Sequence, residues 1–309
     1  MALRITIDLF SGRPNPSVVV TGMEEREILQ RLGAEATAGG RARNTKPPRP
    51  SPPVLGYRGL IIEPLAADEQ PGARAGAGVG AVRAAAPPAA LRVARGVVQR
   101  AGRAAAVRDP GLEAFVLSPA GPFHGAGFAP QFFDHLAREL ARSQRAPAVS
   151  AATRVKAGGQ DSCACAPLWE PDWWNDGGSR QLNNNCYNYA TNYRTDTYAQ
   201  PGKANGAIYA AMTIAAVKGG ALADALLDAP VKNKCPNKGH LVALFVYDYD
   251  FHWYRKQRNG YWTHKPATDP ATQVDNAGAL ITDPRTADRG PYTDFGGFLI
   301  VMHGHVKII

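Results

Sequence analysis

The chain has few of the features that build disulfide-rich, membrane-spanning or Sec-secreted proteins. Four cysteines among 309 residues are too few for a disulfide scaffold of this size. No run of 18 or more apolar residues occurs, which excludes a membrane-spanning helix. Residues 1–8 contain no basic segment followed by an apolar one, so no Sec signal peptide is expected. We therefore expect no membrane span, and a location that is cytoplasmic by default or reached by export without a signal peptide.

Lysine is almost absent from the first half of the chain. Residues 1–150 contain 19 Lys and Arg against 12 Asp and Glu, and 18 of these 19 cations are Arg. The arginines are scattered among Ala, Gly and Pro, whereas a nucleic-acid interface clusters them on one face beside aromatic residues. The net charge of +9 therefore reflects a composition bias, and no nucleic-acid partner is expected.

The first 142 residues predict a small α+β domain. Arg4–Leu9 alternates polar and apolar residues as a half-buried strand does, Ser11–Pro16 is a turn cluster, and Ser17–Val20 resumes an extended run. Further along, 130–142 places four large apolar residues on one helical stripe. These patterns predict a hairpin and an amphipathic helix.

Two more elements and two loops complete this expected domain. Thr21 is expected to cap a helix that ends near residues 39–40, and 91–98 is expected to form one strand. The Pro- and Ala-rich stretches 41–53 and 68–90 are expected to be loops.

The composition changes sharply after residue 160. All four Cys and all five Trp lie in the second part of the chain. Residues 143–162 are polar and aperiodic, which predicts a linker between the first domain and a second domain at 163–309.

The residues around Cys186 are typical of a helix that begins at a cysteine. Asn185 is a preferred N-cap residue, and Cys186, Tyr189 and Tyr193 recur at helical spacing. The positive end of a helix dipole lowers a thiol pKa, and the thiolate is the nucleophilic form. We therefore expect Cys186 to be a nucleophile, with a small buried cysteine as the alternative.

A thiol nucleophile requires a base, and three of the histidines that follow Cys186 are candidates. His240 begins an apolar run, His252 lies in the next run, and His264 follows the hairpin signal Asn259–Gly260. These runs predict an antiparallel meander of three strands. His264 is interpreted as structural.

This arrangement resembles papain-like peptidases of the NlpC type. The resemblance covers residues 180–256 and rests on a cysteine at a helix start, a histidine 54 positions later and another histidine 12 positions further. It implies Cys186 as nucleophile, His240 as general base and His252 as the group that orients the base. The sequence Asn185-Cys186-Tyr187-Asn188 departs from the Asp-Cys-Ser-Gly of that family, so peptidoglycan itself is not implied as the substrate. Similar blocks also occur in uncharacterised bacterial modules.

Strand geometry leaves a second assignment of the base open. A tight turn near Tyr249 places His252 opposite a residue about six positions from His240, roughly 20 Å away at about 3.3 Å per residue. His252 would then be the base, oriented by another polar group. The candidates for that group are Asp275, Asn276 and Asp294.

Other polar and aromatic residues could complete the site. The backbone N–H of Cys186, with Gln181 or Asn184 in support, could stabilise an oxyanion. Three aromatic residues are assigned to substrate binding: Trp173, Trp174 and Tyr187.

The remaining cysteines allow two other interpretations. Cys163 and Cys165, with Cys235 and His240, offer zinc ligands, although the Cys-x-Cys spacing is poor for structural zinc. A disulfide from Cys163 or Cys165 to Cys235 is the other interpretation, if the protein is exported. We expect no metal and no cofactor.

The sequence thus predicts an α+β protein whose C-terminal domain is papain-like, with a nucleophile helix on an antiparallel sheet. The expected activity is hydrolysis of, or transfer from, a peptide or peptidoglycan-like amide through a thioester, with the N-terminal domain contacting a partner. The alternative is a non-catalytic binding module with a degenerate papain-like fold.

Overall fold

A computed structural model describes residues 2–33, 54–65, 90–100, 103–106, 108–145, 162–230 and 232–309. These residues form two compact units, each of which is α+β with one antiparallel sheet. The first unit lies within Met1–Leu9, Asn15–Pro50 and Tyr57–Ala146, and the second lies within Phe10–Pro14, Ser51–Gly56 and Pro147–Ile309.

The division between the units differs from the expected boundaries in one respect. Phe10–Pro14 and the described part of Ser51–Gly56 belong to the C-terminal unit, although both fall inside the expected domain 1–142. The expected loops 41–53 and 68–90 lie outside the described residues, except for residue 90. Within the expected linker 143–162, residues 143–145 end a helix and 146–161 lie outside the described residues.

A six-stranded antiparallel sheet forms the first unit, in the order β2-β1-β3-β4-β5-β6. The strands are β1 (Ala2–Asp8), β2 (Ser17–Thr21), β3 (Gly59–Leu65), β4 (Leu91–Ala94), β5 (Val97–Arg100) and β6 (Arg103–Ala106). The predicted hairpin is confirmed, because β1 pairs with β2 and Ile5 lies opposite Val18.

The single strand predicted at 91–98 is wrong, because the chain turns back inside it. Ala94 pairs with Val97 across the two residues Arg95 and Gly96, whose φ angles are 53° and 70°. Two residues with positive φ form the tight turn that suits the twist of a hairpin. The turn was missed because Arg at its first position is not a typical residue for positive φ.

In the described part of this unit the helices are α1 (Gly22–Leu32), α2 (Leu112–Val116) and α3 (Pro130–Arg145). Helix α1 begins after Thr21 as predicted but ends at Leu32, before the expected glycines. Gly33 has a φ of 86° and donates its N–H to the carbonyl of Leu29, which closes the last turn. The predicted stripe on α3 is confirmed, since Phe132, Phe133, Leu136 and Leu140 are buried.

The second unit contains a five-stranded antiparallel sheet in the order β10-β9-β8-β11-β7. The strands are β7 (Leu227–Asp228), β8 (His240–Tyr247), β9 (Asp250–Lys256), β10 (Trp262–His264) and β11 (Asp294–Val301). The predicted meander is confirmed as β8-β9-β10. Its last connection spans residues 257–261, so Asn259–Gly260 lies in a five-residue loop rather than a two-residue turn.

Helices α4 (Pro171–Trp174), α5 (Ser179–Leu182), α6 (Cys186–Thr191) and α7 (Ile214–Ala223) belong to the second unit. Helix α6 packs on β9, and α7 packs on β11 and β8. The core between them is apolar and fully buried. It includes Cys186, Tyr187, Ala190, Val242, Leu244, Phe251 and Trp253.

One disulfide links Cys163 to Cys235 in the second unit, while Cys165 is exposed and Cys186 is buried as free cysteines. The zinc interpretation is therefore wrong, because two of its sulfur ligands are bonded to each other. Among the described helices, none has the length and apolar character needed to cross a bilayer.

Candidate functional site

Asn185 fixes the start of the helix that carries Cys186. Its side-chain oxygen accepts hydrogen bonds from the backbone N–H groups of Tyr187 at 3.0 Å and Asn188 at 3.1 Å. The Asn188 side chain in turn accepts the backbone N–H of Asn185 at 3.2 Å. This reciprocal cap satisfies the free donors of the first turn and determines where Cys186 lies.

The Cys186 thiol is completely buried and protonated. Burial and the charge of Asp250 raise the pKa of Cys186, and together they outweigh the lowering effects of the Trp253 backbone and the Ser11 side chain. The thiol also lies 3.9 Å from the carbonyl oxygen of Phe251. The expectation of a lowered pKa is wrong, because desolvation exceeds the effect of a six-residue helix.

A chain of hydrogen bonds leads away from Ser11 through two histidines. The Ser11 hydroxyl lies 2.6 Å from Nδ1 of His252, whose Nε2 lies 3.0 Å from Nδ1 of His264. Nε2 of His264 lies 3.0 Å from the carbonyl oxygen of Val274. All three side chains are fully buried.

The Val274 carbonyl sets the direction of the hydrogen bonds between the two histidines. A carbonyl oxygen only accepts, so Nε2 of neutral His264 carries the hydrogen and its Nδ1 accepts. Nε2 of His252 therefore donates to His264, and Nδ1 of a neutral His252 ring accepts from Ser11. Burial lowers the pKa of His264 to about 4, which keeps that ring neutral near pH 7.

The Asp250 carboxylate binds the backbone of the Phe10–Pro14 segment. It accepts the N–H groups of Ser11 at 2.5 Å, Gly12 at 3.1 Å and Arg13 at 2.9 Å, and the hydroxyl of Tyr292 at 2.6 Å. Burial raises the pKa of Asp250 despite these hydrogen bonds. Three consecutive N–H groups on one carboxylate hold the segment through its main chain.

Two side-chain amides bind the Gly12 carbonyl oxygen next to Cys186. Nδ2 of Asn185 donates to it at 2.7 Å and Nε2 of Gln200 donates at 2.8 Å. Asn185 is oriented because its oxygen caps helix α6, and Gln200 because its oxygen accepts the Tyr209 hydroxyl at 2.6 Å. Two convergent donors of this kind are what a developing oxyanion requires.

The structure places His240 away from this cluster. On β8, Phe245 lies opposite His252, so five residues, or about 17 Å of strand, separate the positions of the two histidines. Nε2 of His240 lies 2.8 Å from the carbonyl of Ala190 in the last turn of α6, whereas Cys186 begins that helix. Burial lowers the pKa of His240 to about 3. The structure therefore does not group His240 with His252 at one site.

The residues predicted to support an oxyanion make other hydrogen bonds instead. Gln181 donates its amide to the carbonyl of Thr268 at 3.0 Å. Asn184 accepts the backbone N–H groups of Thr195 and Asp196, both at 3.1 Å. Asn185 and Gln200, rather than these two side chains, donate to the Gly12 carbonyl oxygen.

The residues predicted to bind substrate separate into buried and exposed ones. Tyr187 is buried and donates its hydroxyl to Asp224 at 2.9 Å. Trp174 is buried against Tyr189, with ring centroids 5.3 Å apart. Trp173 is 43% exposed and can contact a ligand from solution.

Sequence reasoning missed four members of the cluster: Ser11, Asp250, Gln200 and His264 as a partner of His252. Ser11 lies 241 residues from His252 in sequence, so no local pattern connects them. The available signal was the position of His264 on the strand beside His252, where it pairs with Tyr254, two residues further along. Among the described residues, no group of three His, Cys, Asp or Glu side chains could hold a metal ion.

The protein is of the α+β class, and each of its two units contains an antiparallel sheet. The second unit contains a buried cluster of Cys186, Ser11, His252 and His264. The chain is 43% identical over 143 residues to insoluble matrix shell protein 1 of Ruditapes philippinarum. The match covers 45% of this chain and 93% of that protein. The chain therefore belongs to the family of insoluble matrix shell protein 1. No family model and no solved structure matches it.

Proposed function

We propose that the C-terminal unit is a papain-like cysteine hydrolase, with Cys186 as nucleophile, His252 as base and His264 as the residue that orients the base. One observation carries this proposal. The relay from the Val274 carbonyl leaves Nδ1 of His252 as an acceptor directed at the Ser11 hydroxyl, and Ser11 is also one of the side chains that affect the pKa of Cys186. A base whose other nitrogen is held by a third group is the arrangement that activates a thiol.

The fold supports the same assignment. Cys186 begins a helix that packs on β9, and β9 and β10 carry the two histidines of the meander. His252 replaces His240 as the proposed base, because the sheet register separates His240 from the cluster.

In the proposed reaction, the Cys186 thiol transfers its proton to Nδ1 of His252 as sulfur attacks an amide carbonyl carbon. The oxyanion accepts hydrogen bonds from Asn185 and Gln200, the C–N bond breaks, and His252 returns its proton to the departing amine. Water, deprotonated by His252, then cleaves the thioester and restores the thiol. Transfer to an amine instead of water uses the same steps.

The proposed substrate is a peptide or peptidoglycan-like amide. Asn185 and Gln200 bind a main-chain carbonyl and Asp250 binds main-chain N–H groups, so these groups recognise peptide backbone rather than a particular side chain. The N-terminal unit is proposed to contact the partner that carries this peptide.

Substitution of Cys186 tests the activity directly. We expect Cys186→Ala to abolish release of amine from peptide substrates while the protein stays folded, with a modest fall in melting temperature because a buried sulfur is removed. The matched control is Cys165→Ala, since Cys165 is an exposed free cysteine in the same unit. Equal hydrolysis by Cys186→Ala and the unsubstituted protein would refute the proposal.

A second candidate function is a non-catalytic component of an insoluble matrix. It is favoured by the name of the mollusc relative and by the complete burial of Cys186, Ser11, His252 and His264. The Cys163–Cys235 disulfide is compatible with it, because disulfides persist in oxidising surroundings. This function predicts concentration-dependent pelleting that Cys186→Ala leaves unchanged, together with no peptide hydrolysis.

A further inference from the structure

We propose that Ser11, Gly12 and Arg13 occupy the peptide-binding groove of the Cys186 site, so that the chain closes its own site and the site selects glycine where Gly12 lies. The proposal rests on the proposed cysteine hydrolase, because it names the peptide class and the control of that same site.

The contacts of the segment are those of a bound peptide. The Gly12 carbonyl lies between the amides of Asn185 and Gln200, and three successive N–H groups of the segment reach Asp250. Each of these bonds involves the main chain of the segment. A peptide presented by another molecule could form the same bonds.

The segment also blocks the chemistry. Its Ser11 hydroxyl lies 2.6 Å from Nδ1 of His252, so it occupies the base that the thiol would use. The sulfur has no solvent exposure while the segment is in place. The protein is therefore closed as described, and the reaction requires the segment to leave.

Glycine selection follows from the approach of Phe251. A Cβ atom at position 12 would lie 2.6 Å from the carbonyl oxygen of Phe251 and would overlap its ring. The carbonyl belongs to strand β9 and cannot move away without breaking the sheet. A residue with any side chain is therefore excluded at this position of the groove.

The closing experiment measures alkylation of Cys186 by iodoacetamide, followed by mass spectrometry of the full chain. Exposed Cys165 serves as the internal reference. We expect Gly12→Ala to expel the segment and to accelerate labelling of Cys186 about tenfold or more, as overpacking shifts such an equilibrium. Gly219→Ala is the matched control, because a Cβ at Gly219 meets no atom within 4 Å.

Two synthetic peptides then test whether the groove of the Gly12→Ala variant selects glycine. Acetyl-Ser-Gly-Arg-Pro-amide should slow the labelling of Cys186, and acetyl-Ser-Ala-Arg-Pro-amide should not. Equal protection by both peptides, or by neither, overturns glycine selection. Labelling of folded Gly12→Ala at the unsubstituted rate overturns closure by the segment.

A second variant keeps the test decisive if Gly12→Ala does not fold. Arg13 donates from its guanidinium to the carbonyl of Tyr249 at 2.9 Å, and it is only half-buried. Arg13→Ala should accelerate labelling about tenfold, the factor for loss of a charged hydrogen bond, and an unchanged rate overturns the closure. A variant with a reactive thiol but no peptide hydrolysis refutes the proposed hydrolase and leaves the closure standing.

Discussion

Acid should destabilise the C-terminal unit through two buried neutral histidines. Burial lowers the pKa of His240 to about 3 and that of His264 to about 4. In the unfolded chain both rings have a pKa of about 6.5. Below that pH the unfolded state binds more protons than the folded state, so stability is complete above pH 6.5 and falls as the pH drops.

At pH 5 the loss of stability does not depend on the folded-state pKa values of His240 and His264, because both values lie below 5. Between the unfolded-state pKa of about 6.5 and pH 5, an interval of about 1.5 pH units, each ring is neutral in the folded state and charged in the unfolded state. At about 1.36 kcal/mol per unit, each ring removes about 2 kcal/mol of the free energy of unfolding, or about 4 kcal/mol for both. Such a loss is large beside a typical total of about 5–15 kcal/mol.

The assay is urea unfolding at several pH values between 5 and 8, followed by tryptophan fluorescence. All five Trp lie in the C-terminal unit, so the signal reports that unit. His240→Gln removes one titrating ring and keeps a donor for the Ala190 carbonyl. We expect this variant to lose about 2 kcal/mol less than the unsubstituted protein between pH 8 and pH 5.

The matched control is His305→Gln, since His305 is exposed. Ionisations common to all three proteins cancel when their pH profiles are subtracted. A profile of His240→Gln that coincides with that of the unsubstituted protein would refute the argument, because it would show that the buried ring is protonated without cost.

Two further predictions concern the disulfide and Asp250. Reduction of Cys163–Cys235 should lower the free energy of unfolding by about 4 kcal/mol, the chain-entropy value for a 72-residue separation, and urea unfolding with and without dithiothreitol measures it. An equal midpoint under both conditions would contradict this. Tyr292→Phe removes a hydroxyl donor from Asp250 and should cost about 1–3 kcal/mol by the same assay, and a free energy of unfolding equal to that of the unsubstituted protein would contradict this.

Local periodicity was enough to predict much of the fold. The alternation in Arg4–Leu9, the stripe on α3 and the apolar runs of β8 and β9 each reflect burial of one face or of both, which sequence spacing records directly. The predictions that failed depended on single backbone conformations. The positive φ at Arg95 turns the chain inside the predicted strand 91–98, which therefore forms two strands. Gly33 ends helix α1 before the expected residues 39–40.

The candidate site was predicted only in part, because its parts meet over long sequence distances. The position of Cys186 at a helix start follows from the neighbouring Asn185, which is a local signal. The approach of Ser11 to His252 depends on tertiary packing and on no nearby residue. Burial also decided the sign of the thiol pKa shift, and a sequence pattern does not report the burial of one sulfur atom.

The orientation of the whole histidine pair depends on one main-chain oxygen rather than on a side chain. Position 274 can therefore accept another residue without changing the tautomers, provided that the backbone bend is kept. That bend depends on Thr272, whose hydroxyl accepts the N–H of Val274 at 3.2 Å. The function of position 274 in the histidine pair thus lies in its carbonyl oxygen, and the hydroxyl of Thr272 helps to hold the peptide that carries this oxygen.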